Sequence, residues 1–303
     1  MSRPSVVALG GGHGLAVTLS AVSRYAGQVT AVVSVADDGG SSGRLRALFP
    51  GPAPGDVRRC LVSLAGDGSL EKLWAQVLDY RFTQGELAGH SLGNLVLLGL
   101  SEVTGDFATA TAELGRLLGV TARVLPATLG VTELCAETET TRGTAEVRGQ
   151  AKVTHSLAPV RRVWLQPPSP PVPAEVLAAI EGADQVVLGP GSLFTSVLAV
   201  CAVPAIRRAL VQRRGGRVYV CNLSPQDGET AGFDADDHLG ALAAHGVEVD
   251  TVVCDPATKV GAPSRLDGTR RVEVVTSAVA GADGHSHNPA FLADVLEALA
   301  SRS

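Results

Sequence analysis

The residues best suited to chemistry lie in one polar stretch, residues 37–44, with the sequence Asp-Asp-Gly-Gly-Ser-Ser-Gly-Arg. This stretch directly follows residues 29–35, an apolar run that predicts a buried strand. Glycine lets backbone N–H groups approach an anion, serine supplies hydroxyl donors, and two aspartates can hold a metal or a hydroxylated ligand. The alternative is an ordinary strand-to-helix turn in which Asp and Ser cap the next helix.

The two adjacent aspartates of this stretch cannot both face a ligand. Neighbouring side chains point to opposite sides of an extended backbone. We expect Asp37 to face the cleft and Asp38 to brace the loop by accepting hydrogen bonds from the N–H groups of residues 39–42.

Two further glycine-rich loops also follow apolar runs. Residues 10–14 (Gly-Gly-Gly-His-Gly) lie between the apolar runs 6–9 and 15–19, and this strand-loop-helix order favours phosphate binding. The loop matches neither the dinucleotide fingerprint nor a P-loop, because Leu15 stands where a third glycine belongs and no Gly-Lys-Ser/Thr follows. Residues 189–196 (Gly-Pro-Gly-Ser-Leu-Phe-Thr-Ser) follow the predicted strand 186–188. Three such loops predict one ligand-binding edge of a doubly wound parallel sheet.

Composition narrows the class of protein. The 303 residues carry a net charge of −5 and are 45% apolar, which suits a well-filled globule and argues against nucleic acid as the main partner. No signal-peptide pattern and no apolar stretch near the roughly 20 residues of a membrane helix is present. The five cysteines are scattered, which indicates reduced thiols. We expect a cytoplasmic protein without membrane insertion.

Strand and helix patterns alternate along most of the chain, which predicts an α/β fold with a mainly parallel, Rossmann-like, doubly wound sheet. Short alternating runs replace this pattern at about 131–165 and predict an antiparallel excursion from the main sheet. We therefore expect a single domain over residues 1–303.

Two segments match the G-x-S-x-G pattern of serine hydrolases, residues 39–43 and 89–93. The second lacks the preceding buried strand that a nucleophile elbow requires, and the first has two aspartates where the backbone must turn sharply. Neither segment comes with an obvious Asp and His partner. A serine hydrolase is kept as a remote alternative.

Several motifs resemble, in order and spacing over nearly the whole chain, those of the YvcK group, the gluconeogenesis factors of the CofD-like superfamily. They include residues 10–15 (Gly-Gly-Gly-His-Gly-Leu), 35–46, 54–58 (Pro-Gly-Asp-Val-Arg), 80–82, 89–94 (Gly-His-Ser-Leu-Gly-Asn), 189–196, 221–223, 226–230 (Gln-Asp-Gly-Glu-Thr) and 237–238.

The resemblance implies a Rossmann-like protein that binds a nucleotide sugar, such as UDP-N-acetylglucosamine, and takes part in carbon-source-dependent growth, cell-shape and cell-wall control. It implies no required cofactor, although Mg²⁺ can accompany a nucleotide diphosphate, and we expect a homodimer. The enzymatic alternative is a group transferase like the 2-phospho-L-lactate transferases. Those enzymes carry a different aspartate-rich motif where this chain has residues 54–59 (Pro-Gly-Asp-Val-Arg-Arg).

The motifs and the resemblance together assign ligand-binding residues but no catalytic residue and no metal ligand. The predicted ligand-binding residues are Gly11, Gly12, His13, Gly14, Asp37, Asp38, Gly40, Ser41, Ser42, Asp56, Arg58, His90, Asn94, Gly189, Gly191, Ser192, Thr195, Asn222, Gln226 and Glu229.

The chain departs from the family pattern at two places. An Arg-His-Asp-like element usually precedes the last helix, whereas residues 286–288 are Ser-His-Asn. A diphosphate would lose a charge-assisted contact there unless Arg265, Arg270 or Arg271 reaches in. His13 also replaces the more usual threonine of the first loop, which removes a hydroxyl donor.

Overall fold

A seven-stranded parallel sheet forms the centre of the protein in the computed structural model, which describes residues 3–141, 143–264 and 272–302. The strands are β1 (Ser5–Gly10), β2 (Gln28–Val33), β3 (Arg123–Pro126), β4 (Glu133–Thr140), β5 (Gly143–Arg148), β6 (Val160–Gln166), β7 (Gln185–Leu188), β8 (Arg217–Val220), β9 (Thr251–Cys254) and β10 (Glu273–Thr276). The seven strands run in the order β10-β9-β8-β7-β1-β2-β3. The strand order therefore reverses between β1 and β7, which is the ligand-binding switch point of Rossmann-like sheets.

Helices cover both faces of this sheet. They are α1 (Gly12–Val22), α2 (Gly40–Leu48), α3 (Pro54–Ser63), α4 (Ser69–Asp79), α5 (Leu92–Thr104), α6 (Phe107–Leu117), α7 (Gln150–Thr154), α8 (Ala174–Gly182), α9 (Leu198–Cys201), α10 (Pro204–Gln212), α11 (Ala235–Ala244) and α12 (Pro289–Ala300), with a π-helical turn at Leu193–Val197. Alternate residues of each strand enter two separate apolar cores: in β1, Val7 and Leu9 enter one, and Val6 and Ala8 enter the other. Burial on both faces explains why the parallel strands are almost wholly apolar.

The predicted antiparallel excursion is confirmed as a three-stranded sheet in the order β5-β4-β6. Its apolar residues Leu134, Val163 and Leu165 join the same core as Leu188 of the main sheet. The α/β class and the mainly parallel sheet are also confirmed.

Two of the polar loops are shorter than the sequence pattern suggested. Helix α2 begins at Gly40, so Ser41 and Ser42 belong to its first turn and not to a loop. Gly39 stands at the N-cap position without a side-chain capping bond, so the capping alternative is also wrong. In the third loop, the π-helical turn begins at Leu193.

Within the described ranges, no single helix is long and apolar enough to cross a membrane. The segments Leu193–Cys201 and Pro204–Gln212 meet the length and composition criteria only as a pair, which is bent by 77°.

Candidate functional site

The three predicted loops converge at the carboxyl edge of the parallel sheet. The first leaves β1 after Gly10, the second follows β2 and the third leaves β7 after Leu188. The first and third loops touch directly: a Cβ atom on Gly14 would lie 2.6 Å from the Pro190 carbonyl carbon. The Thr18 hydroxyl also donates a 2.6 Å hydrogen bond to the carbonyl oxygen of Gly189. Helix α1 is therefore fixed against the switch point, where its N-terminus faces the cleft.

Gly12 carries the turn from β1 into α1. Its φ angle is +62°, and a Cβ atom there would meet only the flexible Arg59 side chain, at 3.6 Å. Gly11 is extended, and a Cβ atom on it would collide with the Asp56 carboxylate. The side chain of His13 beside them is largely exposed, and the part of it that is shielded from water, followed by the nearby Arg59 charge, lowers its pKa. The first loop thus presents glycine backbone at this edge, with the Gly12 N–H directed to the Asp56 carboxylate.

Asp56, near the start of α3, is the most perturbed carboxylate of the site. It is 9% exposed, and its Oδ1 accepts a 2.9 Å hydrogen bond from Arg59. Burial raises the pKa of this carboxyl most, the charge of Asp37 acts in the same direction, and Arg59 and the Gly12 N–H oppose them, so that the pKa is about 6. The carboxylate therefore lies beside the first loop at a cost in desolvation.

The predicted bracing of residues 39–42 by Asp38 is wrong. Asp37 Oδ1 accepts a 2.9 Å bond from the Gly39 N–H, so Asp37 makes the Asx-type turn that was assigned to Asp38. Asp38 Oδ1 instead accepts a 2.8 Å bond from the Ala151 N–H at the start of α7. The sequence could not predict this partner, because it lies 113 residues away on the antiparallel excursion.

Ser41, His90, Asn94 and Arg58 form one buried network. The Ser41 hydroxyl lies 3.1 Å from His90 Nδ1 and accepts a 3.1 Å bond from Asn94 Nδ2. Arg58 Nε donates to Asn94 Oδ1 at 3.1 Å, and its guanidinium pairs with Asp79. These four predicted residues are brought together, with at most 8% of each side chain exposed.

This network unites the two G-x-S-x-G segments as a Ser–His pair, which sequence reasoning missed. Burial, with smaller contributions from Arg44 and Arg81, lowers the pKa of His90, so its imidazole is neutral at pH 7. No carboxylate in the described part of the chain hydrogen-bonds to His90, and the Ser41 oxygen already accepts from Asn94. The pair thus lacks the orienting acid of a hydrolase triad.

Ser42 and Gly40 frame the opposite side of this turn. Ser42 is 2% exposed, and its hydroxyl packs against Gly55 at the start of α3. A Cβ atom on Gly55 would lie only 2.5 Å from the Ser42 hydroxyl oxygen. Gly40 is exposed, with no atom within 4 Å of the position of a Cβ atom. Of the two, only Gly40 is open to an incoming ligand.

The third loop is held by residues that follow β8. Asn222 Oδ1 accepts a 3.0 Å bond from the Gly191 N–H, and Gln226 Nε2 donates a 3.2 Å bond to Ser192 Oγ. Glu229, only 1% exposed, accepts bonds from the N–H and the hydroxyl of Thr195. Burial raises the pKa of Glu229, and these donors together with Ser192 oppose that effect. Glu229 and Thr195 therefore brace the loop from within.

Residues 286–288, which differ from the family pattern, also lie near β8. His287 Nε2 is 3.0 Å from the Cys221 carbonyl oxygen, and Asn288 caps α12 through the Ala290 N–H at 2.9 Å. Asn288 thereby performs the capping that an aspartate could perform at this position. Arg265, Arg270 and Arg271 lie outside the described residues.

Arg59, Asp79 and Arg46 were not predicted as site residues. Arg46 donates to the Asp37 carbonyl oxygen at 3.2 Å and to the Thr132 carbonyl oxygen at 2.6 Å, so it ties the second loop to the antiparallel sheet. The resemblance includes Arg46 in its second motif, which was the one available signal. Arg59 and Asp79 are connected to the site by their ion pairs with Asp56 and Arg58, respectively.

A cavity of about 1200 Å³ lies at the opposite, amino edge of the sheet, lined by Arg3, Arg24, Asp184 and Arg213 among others. It contains none of the motif residues. The predicted residues therefore do not coincide with this large opening. Among the described residues, no group of three or more His, Cys, Asp or Glu side chains is placed to hold a metal ion.

Fold and site together define a Rossmann-like protein with glycine loops at its switch point. A family model described as 2-phospho-L-lactate transferase CofD matches residues 6–280. A protein of the gluconeogenesis-factor group from Mycobacterium tuberculosis is 44% identical over an alignment of 310 positions, gaps included, which covers 98% of this chain and 90% of that protein. The gluconeogenesis factor of Bacillus subtilis is 40% identical over 80% of this chain and 75% of its own. A crystal structure of a UPF0052 family member from Bacillus halodurans has a TM-score of 0.90 at 36% identity, covering 98% of this chain and 99% of that one.

The chain therefore belongs to the CofD family, and its curated relatives are gluconeogenesis factors. The resemblance inferred from the motifs is confirmed.

Proposed function

We propose that this protein is a cytoplasmic regulatory protein that binds a UDP-sugar, such as UDP-N-acetylglucosamine, at the carboxyl edge of its sheet. The observation that carries the proposal is the contact between the first and third glycine loops across the switch point. Two glycine loops that meet at one edge, with a helix N-terminus behind them, suit a diphosphate. Binding would link the level of an activated sugar to carbon-source-dependent growth, cell shape and cell-wall control.

The carboxylates at the cleft favour a cation in the complex. Asp56 and Asp37 influence each other electrostatically, and both would lie near an incoming diphosphate. Mg²⁺ typically uses one or two carboxylates together with phosphate oxygens. We propose that Mg²⁺ accompanies the ligand, with Asp37 and Asp56 on the protein side, and that the protein requires no other cofactor.

A group transferase is the second candidate, because the family model carries the description of a transferase. Such an enzyme needs charge stabilisation at the transferred group and a site for its acceptor. The buried network of Ser41, His90, Asn94 and Arg58 is saturated with internal hydrogen bonds, which favours a structural role for these side chains. We therefore place binding ahead of transfer.

A thermal-shift panel of nucleotides and nucleotide sugars, with and without Mg²⁺, tests the proposal. At a ligand concentration 100 times Kd, binding adds about 2.7 kcal/mol of stability, which for a chain of 303 residues is a rise in Tm of roughly 4 °C. We expect this rise with UDP-N-acetylglucosamine, and no loss of that ligand over hours when the mixture is assayed for products. Turnover of UDP-N-acetylglucosamine, or transfer of 2-phospho-L-lactate to a deazaflavin, would make the protein an enzyme. Labelling of Ser41 or Ser91 by a serine-directed probe would support the hydrolase.

A further inference from the structure

Two side-chain amides at the third loop each use only half of their hydrogen-bonding capacity. Asn222 Nδ2 and Gln226 Oε1 are shielded from solvent and have no partner among the described residues. Asn222 is 8% exposed, so more than nine-tenths of it is buried. Unpartnered buried polar atoms are rare, because each one gives up its bonds to water without compensation.

The neighbouring donors and acceptors fix which atom of each amide is free. The Gly191 N–H can only donate, so the atom of Asn222 that faces it is the oxygen, and the free atom is the donor Nδ2. The Ser192 hydroxyl donates to Glu229, so it must accept from Gln226, and the free atom is the acceptor Oε1. The pair therefore offers one donor and one acceptor.

The two amides are anchored on consecutive residues of one loop, Gly191 and Ser192, at the switch point. Gln226 is only half-buried, so its side chain can rotate to admit a ligand. A phosphate group carries only acceptors near neutral pH, so it would leave Gln226 Oε1 without a donor. The Glu229 carboxyl behind Ser192 adds a further acceptor to this side of the cleft. This side thus suits an uncharged group.

We propose that Asn222 and Gln226 bind an amide-type group of the ligand, with Asn222 Nδ2 donating to its carbonyl oxygen and Gln226 Oε1 accepting from its N–H. This inference rests on the proposed function, in which the diphosphate lies over the glycine loops. A UDP-N-acetylglucosamine ligand carries such a group twice, in the uracil ring and in the acetamido group of the sugar.

Calorimetric titration with UDP-N-acetylglucosamine tests the pair. Asn222→Asp keeps the oxygen that holds Gly191 but replaces the donor with an acceptor, so we expect affinity to fall about tenfold or more. Gln212→Glu is the matched control: it makes the same change from amide to carboxylate on an exposed residue at the amino edge of the sheet, and it should bind like the wild type. An unchanged affinity in Asn222→Asp would overturn the proposal.

Two altered ligands distinguish the source of the amide. UDP-glucose lacks the acetamido group, and N3-methylated UDP-N-acetylglucosamine lacks the uracil N–H. The ligand that lacks the bound group should bind wild-type protein more weakly and should lose the difference between wild type and Asn222→Asp. If both altered ligands bind wild type as tightly as the parent ligand, the proposal is wrong.

A ligand-free measurement separates this proposal from the proposed function. Gln226→Met is nearly isosteric and removes both the free acceptor and the bond from Nε2 to Ser192. The gain from removing an unpaired buried acceptor should offset the loss of that one bond, so we expect the Tm of the ligand-free protein to change by no more than about 2 °C. A fall of several degrees would mean that Oε1 is already satisfied, for example by buried water, and would overturn the inference even if nucleotide sugars bind. If the wild type binds no nucleotide sugar, the proposed function fails. The Tm comparison of wild type and Gln226→Met then still decides whether Gln226 Oε1 lacks a hydrogen-bond partner.

Discussion

Gly14→Ala is expected to destabilise the protein by about 3 kcal/mol, the upper end of the usual cost of overpacking. The added Cβ atom would lie 2.6 Å from the Pro190 carbonyl carbon and 2.7 Å from Gly191 Cα. Both are backbone atoms, which cannot rotate away as a side chain would. The substitution therefore forces the first and third loops apart. Urea denaturation of wild type and variant measures the free energy of unfolding directly.

Gly99→Ala is the matched control for this substitution. Gly99 lies in the exposed interior of α5, and a Cβ atom there would meet nothing within 4 Å. Because alanine favours helix more than glycine does, we expect a gain of up to about 1 kcal/mol. Similar stabilities for the two variants would show that the two loops do not pack as described.

Asp56→Asn is expected to remove part of the pH dependence of the free energy of unfolding. Burial raises the folded-state pKa of Asp56 from 3.8 to about 6, so the folded protein holds this proton more tightly than the unfolded chain does. Wild type therefore loses stability as pH rises from about 4 through 6, and the difference in pKa corresponds to about 3 kcal/mol. Asparagine cannot ionise, so the variant should gain on wild type by about this amount between pH 4 and pH 8.

Asp106→Asn serves as a control of opposite sign. Hydrogen bonds from Thr109 lower the pKa of this exposed N-cap carboxyl, so its contribution to stability grows as pH rises. Urea denaturation from pH 3 to pH 8 should show Asp56→Asn rising relative to wild type between about pH 4 and pH 6. Asp106→Asn should fall relative to wild type only as pH rises to about 4, and should stay level above it. Parallel curves for wild type and Asp56→Asn would contradict the assigned environment of Asp56.

The sequence predicted the edge where the candidate residues meet, because parallel strands all end at one side of a sheet. Apolar runs followed by glycine were enough to locate the loops after β1 and β7. The start of α2 at Gly40 was not predictable from these patterns, because glycine and serine disfavour helix and the first turn is held by tertiary contacts such as Ser41 with His90.

The roles of individual side chains were harder to predict than their positions. Asp38 is bound by a backbone N–H of α7, and Ser41 meets a histidine 49 residues away. Such contacts depend on how the antiparallel sheet and α5 pack against the second loop. Sequence spacing describes only neighbours along the chain, so it could place Asp37 and Asp38 at the edge but could not divide their roles.

The central claim is that a diphosphate lies against the glycine backbone of the first loop. Titration calorimetry with UDP-N-acetylglucosamine and Mg²⁺ tests it most directly. Gly12→Ala and Gly105→Ala both place alanine at a positive φ angle, +62° and +72°, so both carry a similar strain of about 1–2 kcal/mol. The new Cβ atom would have only an ordinary contact with Arg59, at 3.6 Å, in Gly12→Ala and no neighbour within 4 Å in Gly105→Ala. Only Gly12 lies at the cleft, whereas Gly105 caps the far end of α5. We expect Gly12→Ala to lower affinity at least about tenfold and Gly105→Ala to bind like wild type. Equal affinity of Gly12→Ala and wild type would contradict the account.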